Sequence, residues 1–156
     1  MIVNIDIDEE AWSSLLPEAT ALATRAVNAA ASCLDTTIAD GAVDVVLSTD
    51  EEVADLNRQW RGKPKPTNVL SFPAAAGTVL PPGEPKPLGE IILAAGVIAR
   101  EAAEQDKPLE HHFTHLVVHG FLHIMGHDHE NDDEAEQMES LEKEILANLG
   151  IPNPYE

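Results

Sequence analysis

Three histidines of the segment HGFLHIMGHDH, at positions i, i+4 and i+10, are the residues of this sequence best placed to bind a metal ion. His119 and His123 are four residues apart, so on an α-helix their imidazoles project from one face, one turn apart. His129 can join them only if the chain turns back, which Gly126 favours because glycine tolerates a left-handed backbone. Three imidazole ligands leave one tetrahedral position open, as in catalytic zinc sites. The spacing therefore predicts one zinc ion that activates a water molecule.

An alternative interpretation without a metal is that His119 and His123 are hydrogen-bonded core residues and that His127 and His129 lie in a polar loop. The segment HLVVHGFLHIM is apolar on nearly all sides, which predicts a buried helix whose imidazoles need polar partners. The three-histidine spacing with an intervening glycine favours a metal as that partner. His111 and His115 extend the row upstream, and we interpret them as surface or supporting groups instead of ligands. Asp128 and Glu130 could orient an imidazole or serve as a base, but an exposed acidic loop is the simpler interpretation.

The same ligand spacing occurs in metzincin proteases, which carry a glutamate general base directly after the first histidine. Here that position is Gly120. Peptide hydrolysis needs a group that activates water and then protonates the leaving amine. Gly120 therefore disfavours a metallopeptidase, although the spacing keeps it as an alternative.

The composition is that of a globular chain. Its 156 residues, 44% hydrophobic and 24% charged, predict one domain over residues 1–156. Cys33 is the single cysteine, which excludes an intramolecular disulfide and fits a reducing compartment. The N-terminal residues lack the features of a signal peptide, and no long apolar run predicts a membrane span. We therefore expect a soluble protein of the cytoplasm, with no membrane partner.

The net charge of −19 argues against indiscriminate binding of nucleic acid, because the average field repels phosphate. The segment NRQWRGKPKP is a local exception, since it contains four of the nine basic residues and no acid. These residues are Arg58, Arg61, Lys63 and Lys65. The run is open to two interpretations, a solvated loop or a phosphate-binding rim.

Hydrophobic periodicity and turn residues divide the chain into strands and helices without internal repeats. Strands are predicted at 2–7, 42–48, 67–73 and 88–94. Helices are predicted at 9–32, about 50–60, 95–105, 108–126 and 132–149. Pro17 should break or kink the first helix, and Gly62 should end the second. The prolines and glycines between 74 and 87 predict an irregular loop.

Taken together, the motifs resemble the YbeY family, bacterial endoribonucleases of ribosomal RNA maturation. The segments that carry the resemblance are HGFLHIMGHDH (119–129), WRGKPKPTNVLSFP (60–73), LGEIIL (88–93) and the acidic DDEAEQME (132–139). They lie in the family's order and span about 45–150, most of the chain. Glu90 replaces the aspartate common in the family's L-G-D-I string, and Asn68 stands in the T-D-V-L-S-F-P string. We expect these departures to affect fine substrate geometry, Glu90 by lying on the strand nearest the site.

The resemblance implies an α+β, zincin-like fold: a mixed four-stranded sheet packed with about five helices, and a metal site on a buried helix in the C-terminal half. It also implies one zinc ion on His119, His123 and His129. The family's functionally important arginine corresponds to Arg61. Beside such a site, Arg61 with Lys63 and Lys65 would form a phosphate-binding rim on an acidic body, since a guanidinium binds phosphate through two donors.

The leading hypothesis is a single-strand-specific, zinc-dependent endoribonuclease that acts in 16S rRNA 3′-end maturation and ribosome quality control. Its expected partners are ribosomal RNA and the small ribosomal subunit, with a ribosomal protein or an assembly GTPase as a further candidate; DNA is not expected. The general base stays open, because either water or the RNA 2′-hydroxyl could attack. A ribosome-assembly factor with a structural zinc is the second alternative beside the metallopeptidase.

Overall fold

A mixed four-stranded sheet with helices on both faces forms the framework of the protein. This computed structural model describes residues 1–34, 40–63, 65–74, 82–128 and 130–155. The strands are β1 (Ile2–Ile7), β2 (Gly41–Ser48), β3 (Val69–Pro73) and β4 (Lys86–Ala94). The helices are α1 (Glu9–Trp12), α2 (Ala19–Ser32), α3 (Asp50–Arg61), α4 (Ala95–Glu104), α5 (Leu109–Ile124) and α6 (Asp132–Asn148). The α+β class and the mixed four-stranded sheet are confirmed.

The strands lie in the order β1-β2-β4-β3. Strands β1, β2 and β4 are parallel, whereas β3 runs antiparallel to β4. Strand β3 is therefore an edge strand, paired on one side only. Among the described residues, no helix is long and apolar enough to cross a membrane.

The two faces of the sheet are covered by different helices. On one face, α5 approaches so closely that a Cβ atom on Gly120 would lie 2.9 Å from Ile91 Cγ2. On the other face, Val53 of α3 packs with Leu70 and Ile92. Neighbouring residues of a strand point to opposite faces of the sheet. The side of β4 that carries Ile91 therefore faces α5, and the side that carries Ile92 faces α3.

Helix α5 is buried, as its apolar sequence predicts, and it packs against α2, α4 and α6 as well as the sheet. Phe113 of α5 meets Trp12 edge-on, with the ring centroids 5.5 Å apart. Both side chains are fully buried. The indole N–H of Trp12 donates to the carbonyl of Ser48 at 2.9 Å. These contacts fix the helix that carries His119 and His123.

Turn and capping residues end the elements where the sequence predicts. Pro17 lies between α1 and α2, so the first predicted helix is two helices, and the described residues form six helices instead of about five. The Thr49 side chain accepts from the Glu52 amide at 3.2 Å and caps α3. Gly62 ends α3 in the left-handed conformation, with φ +70°.

Strand β4 begins two residues earlier than predicted, at Lys86 instead of Leu88. Gly41 pairs with Lys86 and Ala42 with Pro87, and the register shifts directly after Ala42. A proline is tolerated at such an irregularity, which hides the strand start from a periodicity argument. Of the loop predicted at 74–87, residues 75–81 lie outside the described residues, and residues 82–85 belong to neither a helix nor a strand.

Candidate active site

His119 and His123 converge at one end of α5. Their Nε2 atoms are 3.1 Å apart, and their ring centroids are 4.6 Å apart. The helix then ends as predicted: the His127 N–H donates to the Leu122 carbonyl at 3.0 Å, and Gly126 has φ +95°. This left-handed glycine turns the chain back past the end of the helix. The predicted third ligand, His129, lies outside the described residues.

The spacing of the two imidazole nitrogens fits a shared metal ion. Zinc–nitrogen bonds of about 2.0–2.1 Å at tetrahedral angles place two ligand nitrogens about 3.3 Å apart. The observed separation of the Nε2 atoms of His119 and His123 is 3.1 Å. Within the described part of the chain, which does not include His129, no three histidine, cysteine, aspartate or glutamate side chains are arranged to hold a metal ion. A zinc ion on His119, His123 and His129 therefore stays a prediction that this pair of donors supports.

A buried carboxylate on α6 orients His119 from behind. His119 Nδ1 lies 2.7 Å from Glu142 Oε1, and His115 Nε2 lies 2.8 Å from Glu142 Oε2. The Tyr155 hydroxyl donates to the same carboxylate. When Nδ1–H of His119 donates to Glu142, its Nε2 keeps a lone pair that faces His123. Metal-binding histidines commonly have this arrangement.

The hydrogen bonds to Glu142 keep its carboxylate ionised although the residue is fully buried. Burial alone would raise the pKa of Glu142, but the donors on His115, His119 and Tyr155 lower it to about 2. Burial and the neighbouring Glu142 raise the pKa of the Tyr155 hydroxyl, which stays protonated and can donate. The site thus contains a permanent negative charge next to the imidazoles.

Glu142 was missed by sequence reasoning, although a signal was present. It lies four residues after Met138 and three before Ile145, both buried core residues of α6. An acid in the apolar stripe of an amphipathic helix marks a buried charge that must have partners. His115, interpreted above as a surface or supporting group, is one of these partners of Glu142.

Gly120 is explained by packing. A Cβ atom at this position would lie 2.9 Å from Ile91 Cγ2, 2.9 Å from Ser71 Oγ and 3.4 Å from Val69 Cγ2. Since side chains of β3 and β4 occupy this space, a glutamate at position 120 would require those side chains to shift. The position of the metzincin base is therefore crowded here.

A cleft of about 880 Å³ runs between the end of α5 and the edge strand β3. His119 and His123 line it on the α5 side, and Arg61 and Trp60 line it at the end of α3. Asp128 is part of the same lining. The structure thus brings together three of the four predicted site residues, His119, His123 and Arg61.

The basic run extends from this cleft along an anchored segment. The Asn57 side-chain amide, almost fully buried, donates to the Lys65 carbonyl at 2.8 Å and holds the turn after α3. Arg58 pairs with Asp55 at 3.1 Å, where both side chains are mostly exposed. Arg61, Lys63 and Lys65 are exposed along the segment. Because Arg61 lines the same cleft as His119 and His123, the structure favours the phosphate-binding rim over the solvated loop.

The two departures from the family motif have different surroundings. Asn68 lines the cleft, and its amide nitrogen donates to Glu101 Oε1 at 3.0 Å. Glu101 Oε1 also lies 2.9 Å from Nε2 of the buried His112. Glu90, expected near the site, lies on the face of β4 opposite to Ile91 and lines a second hollow with Asp44, which adjoins the cleft at Phe72 and Pro73. That expectation was wrong because β3, not β4, forms the wall of the cleft.

Comparisons with known proteins agree with these features. A family model described as Endoribonuclease YbeY matches residues 3–150. The chain is 52% identical over 145 residues to a Bradyrhizobium diazoefficiens protein named Endoribonuclease YbeY, covering 89% of this chain and 77% of that protein. An Azorhizobium caulinodans protein of the same name is 48% identical over 157 residues, covering 99% of this chain and 96% of its own.

Among solved structures, the chain is similar to the solution structure of TM1509 from Thermotoga maritima. The TM-score is 0.56 at 27% sequence identity, and the match covers 96% of this chain and 92% of that one.

Proposed function

This chain belongs to the YbeY family of endoribonucleases, and we propose that it cleaves single-stranded ribosomal RNA in a zinc-dependent reaction. The family supports an endoribonuclease role. The proposal adds the metal, the residues and the substrate. One observation carries it: two imidazole nitrogens 3.1 Å apart face a cleft that Arg61 also lines.

His119, His123 and His129 would hold the zinc ion. When bound there, zinc would lower the pKa of a water molecule and polarise a phosphoryl oxygen. Glu142 fixes the tautomer of His119, because its carboxylate accepts from Nδ1 at 2.7 Å. The imidazole therefore does not have to reorganise when a ligand binds.

Arg61 would bind the scissile phosphate. Its guanidinium offers parallel donors that match two phosphoryl oxygens and stabilise the charge that builds up during cleavage. The last turn of α3 and the αL cap at Gly62 place it at the cleft. Lys63 and Lys65 extend the positive charge along the path that the RNA would follow.

The proposed substrate is the 3′ region of precursor 16S rRNA, cleaved on the small ribosomal subunit during maturation and quality control. The net charge of −19 disfavours binding to arbitrary RNA, so a ribosome would present the strand to the basic rim. A ribosomal protein or an assembly GTPase would serve as the docking partner.

The proposal is tested by metal analysis together with cleavage of a precursor 16S fragment. We expect His123→Ala to lose the bound zinc and the cleavage. We expect Arg61→Ala to keep the zinc and to cleave about 10²–10³-fold more slowly, the usual effect of removing one donor that stabilises transition-state charge. Zinc content and single-turnover cleavage rates separate the two roles.

Matched controls are available within the same elements. Arg58→Ala removes a basic residue of α3 that is paired with Asp55, and it should cleave normally. His111→Ala removes an imidazole of α5 that lines a different hollow, and it should keep the zinc. Normal cleavage by a folded, zinc-free His123→Ala protein would contradict the proposal. Cleavage products with 2′,3′-cyclic phosphate ends would identify the RNA 2′-hydroxyl as the nucleophile.

A further inference from the structure

Trp60 is a large aromatic side chain exposed at the border of the cleft. Its exposed fraction is 69%, against 47% for Ile2 and 45% for Tyr155, the other large exposed hydrophobic residues of the described chain. An indole left in water gives up the free energy that its burial would provide. Because Trp60 lines the same cleft as His119 and His123, a ligand in that cleft could cover it.

The position of Trp60 is fixed by its surroundings. It precedes the αL cap at Gly62, whose N–H donates to the Arg58 carbonyl at 3.1 Å. The buried Asn57 holds the following turn through the Lys65 carbonyl. The ring is therefore presented from a well-defined helix end.

One side of the indole is supported by the sheet while most of its surface stays open. The Phe72 ring on β3 lies 6.0 Å from the Trp60 ring, centroid to centroid, with 58° between the planes. A tilted neighbour of this kind supports the indole without stacking on it. A flat ligand can therefore stack on Trp60.

We propose that Trp60 is a stacking platform for an unpaired RNA base next to the phosphate that Arg61 binds. Proteins bind single strands by combining aromatic platforms with a positively charged path for the backbone. Here the aromatic residue directly precedes Arg61, and Lys63 and Lys65 follow. A base inside a duplex is already stacked, so the platform selects single strands. This inference rests on the proposed function, since it assigns a base-binding residue to the same cleft.

The two tryptophans make this inference directly measurable. Trp12 is fully buried and hydrogen-bonded to Ser48, so RNA cannot reach it. Quenching of tryptophan fluorescence by a base must therefore come from Trp60. The probe is a nine-nucleotide, 2′-O-methyl single-stranded RNA, and its comparison is an oligomer of the same length and charge with abasic sugars.

We expect the RNA oligomer to quench the fluorescence of the zinc-loaded protein and the abasic oligomer to leave it unchanged. Trp60→Ala should bind the RNA oligomer about 5- to 100-fold more weakly, the usual loss for one stacked base. Trp60→Phe should retain most of the affinity. The dependence of binding on salt should be the same in wild type and Trp60→Ala, because no charge is removed.

Gln59→Ala, an exposed neighbour on α3, is the control and should bind as wild type does. Equal affinity of wild type and Trp60→Ala for the RNA oligomer would overturn the stacking role. So would equal quenching by the RNA and abasic oligomers. If this happens while wild type still cleaves RNA in a zinc-dependent way, only the platform is wrong. If wild type neither binds nor cleaves single-stranded RNA, the proposed function fails as well.

Discussion

Glu142 is fully buried and Glu90 is partly buried in a different part of the molecule, and folding shifts the pKa values of the two carboxyl groups in opposite directions. Glu142 lies behind His119, and hydrogen bonds from three side chains overcome its burial and lower its pKa to about 2. Glu90 lies in the hollow on the far face of the sheet, where burial, then Asp44 and Asp6, raise its pKa. Burial raises the pKa of both carboxyl groups, but three donors overcome it at Glu142 whereas Asp44 and Asp6 add to it at Glu90.

The difference separates a charge that the fold needs from one that it tolerates. Ionised Glu142 accepts from His115, His119 and Tyr155, so its charge orients the imidazole pair. Glu90 is paired in register with Asp44 on the neighbouring strand. Like charges directly opposite on a sheet destabilise it. Removing the charge of Glu142 should therefore damage the site, whereas removing that of Glu90 should stabilise the protein.

The largest effect is expected from Glu142→Gln. The amide keeps the size of the side chain but cannot accept all three hydrogen bonds, so His119 loses its fixed tautomer. We expect the affinity for zinc to fall about 10- to 100-fold, the usual cost of removing such a partner. The free energy of unfolding of the zinc-free protein should fall by about 2 kcal/mol. Competition with a chelating dye and urea denaturation measure the two quantities.

The control for this change is Glu144→Gln, which removes an exposed charge from the same helix. It should alter neither zinc affinity nor stability appreciably. Unchanged zinc affinity in Glu142→Gln would mean that His119 is oriented without this carboxylate, and the contrast between the two glutamates would lose its functional meaning.

A smaller effect in the same direction is expected from Tyr155→Phe. The phenylalanine ring can still pack edge-on against His115, whose ring centroid lies 5.5 Å away, but the hydroxyl donor to Glu142 is lost. Two donors remain on the carboxylate, so zinc affinity should fall only about 2- to 5-fold and stability by about 1 kcal/mol. The same dye competition and urea denaturation apply.

Tyr155→Ala should cost more stability than Tyr155→Phe, because it also removes the ring contact with His115. A loss of zinc affinity in Tyr155→Phe as large as in Glu142→Gln would show that the hydroxyl, and not the histidines, controls the carboxylate.

Local signals in the sequence predict most of the fold and the imidazole pair. Pro17, Gly62 and Gly126 interrupt or end helices through backbone constraints that act whatever surrounds them. The spacing of His119 and His123 likewise depends only on helix geometry, and their convergence is confirmed. These features were predictable because each is decided within a few residues.

Features that depend on packing between distant segments could not be predicted in this way. Glu142 acts on His119 across 23 positions, and only the contact between α5 and α6 reveals its role. A Cβ atom at Gly120 would meet side chains of β3 and β4, so the crowding that disfavours a glutamate there is a tertiary effect. The placement of Glu90 depended on the strand order, which puts β3 instead of β4 beside the cleft.

The smallest effect, with the opposite sign, is expected from Glu90→Gln. A carboxyl group whose pKa is raised by folding favours the folded state at low pH and opposes it once ionised. The contribution of Glu90 to wild-type stability therefore falls as the pH rises from the ordinary glutamate value of 4.5 through the raised pKa of Glu90. Glutamine removes this penalty, so the variant should be more stable at pH 7 by up to about 1 kcal/mol. The gain should disappear below about pH 4, where wild-type Glu90 is protonated in both the folded and the unfolded state.

Urea denaturation at pH 4 and pH 7 measures this gain in stability, with Glu84→Gln as an exposed control in the same hollow. A loss of stability at pH 7 would mean that ionised Glu90 has favourable partners that outweigh Asp44 and Asp6, and that the two glutamates do not differ as described.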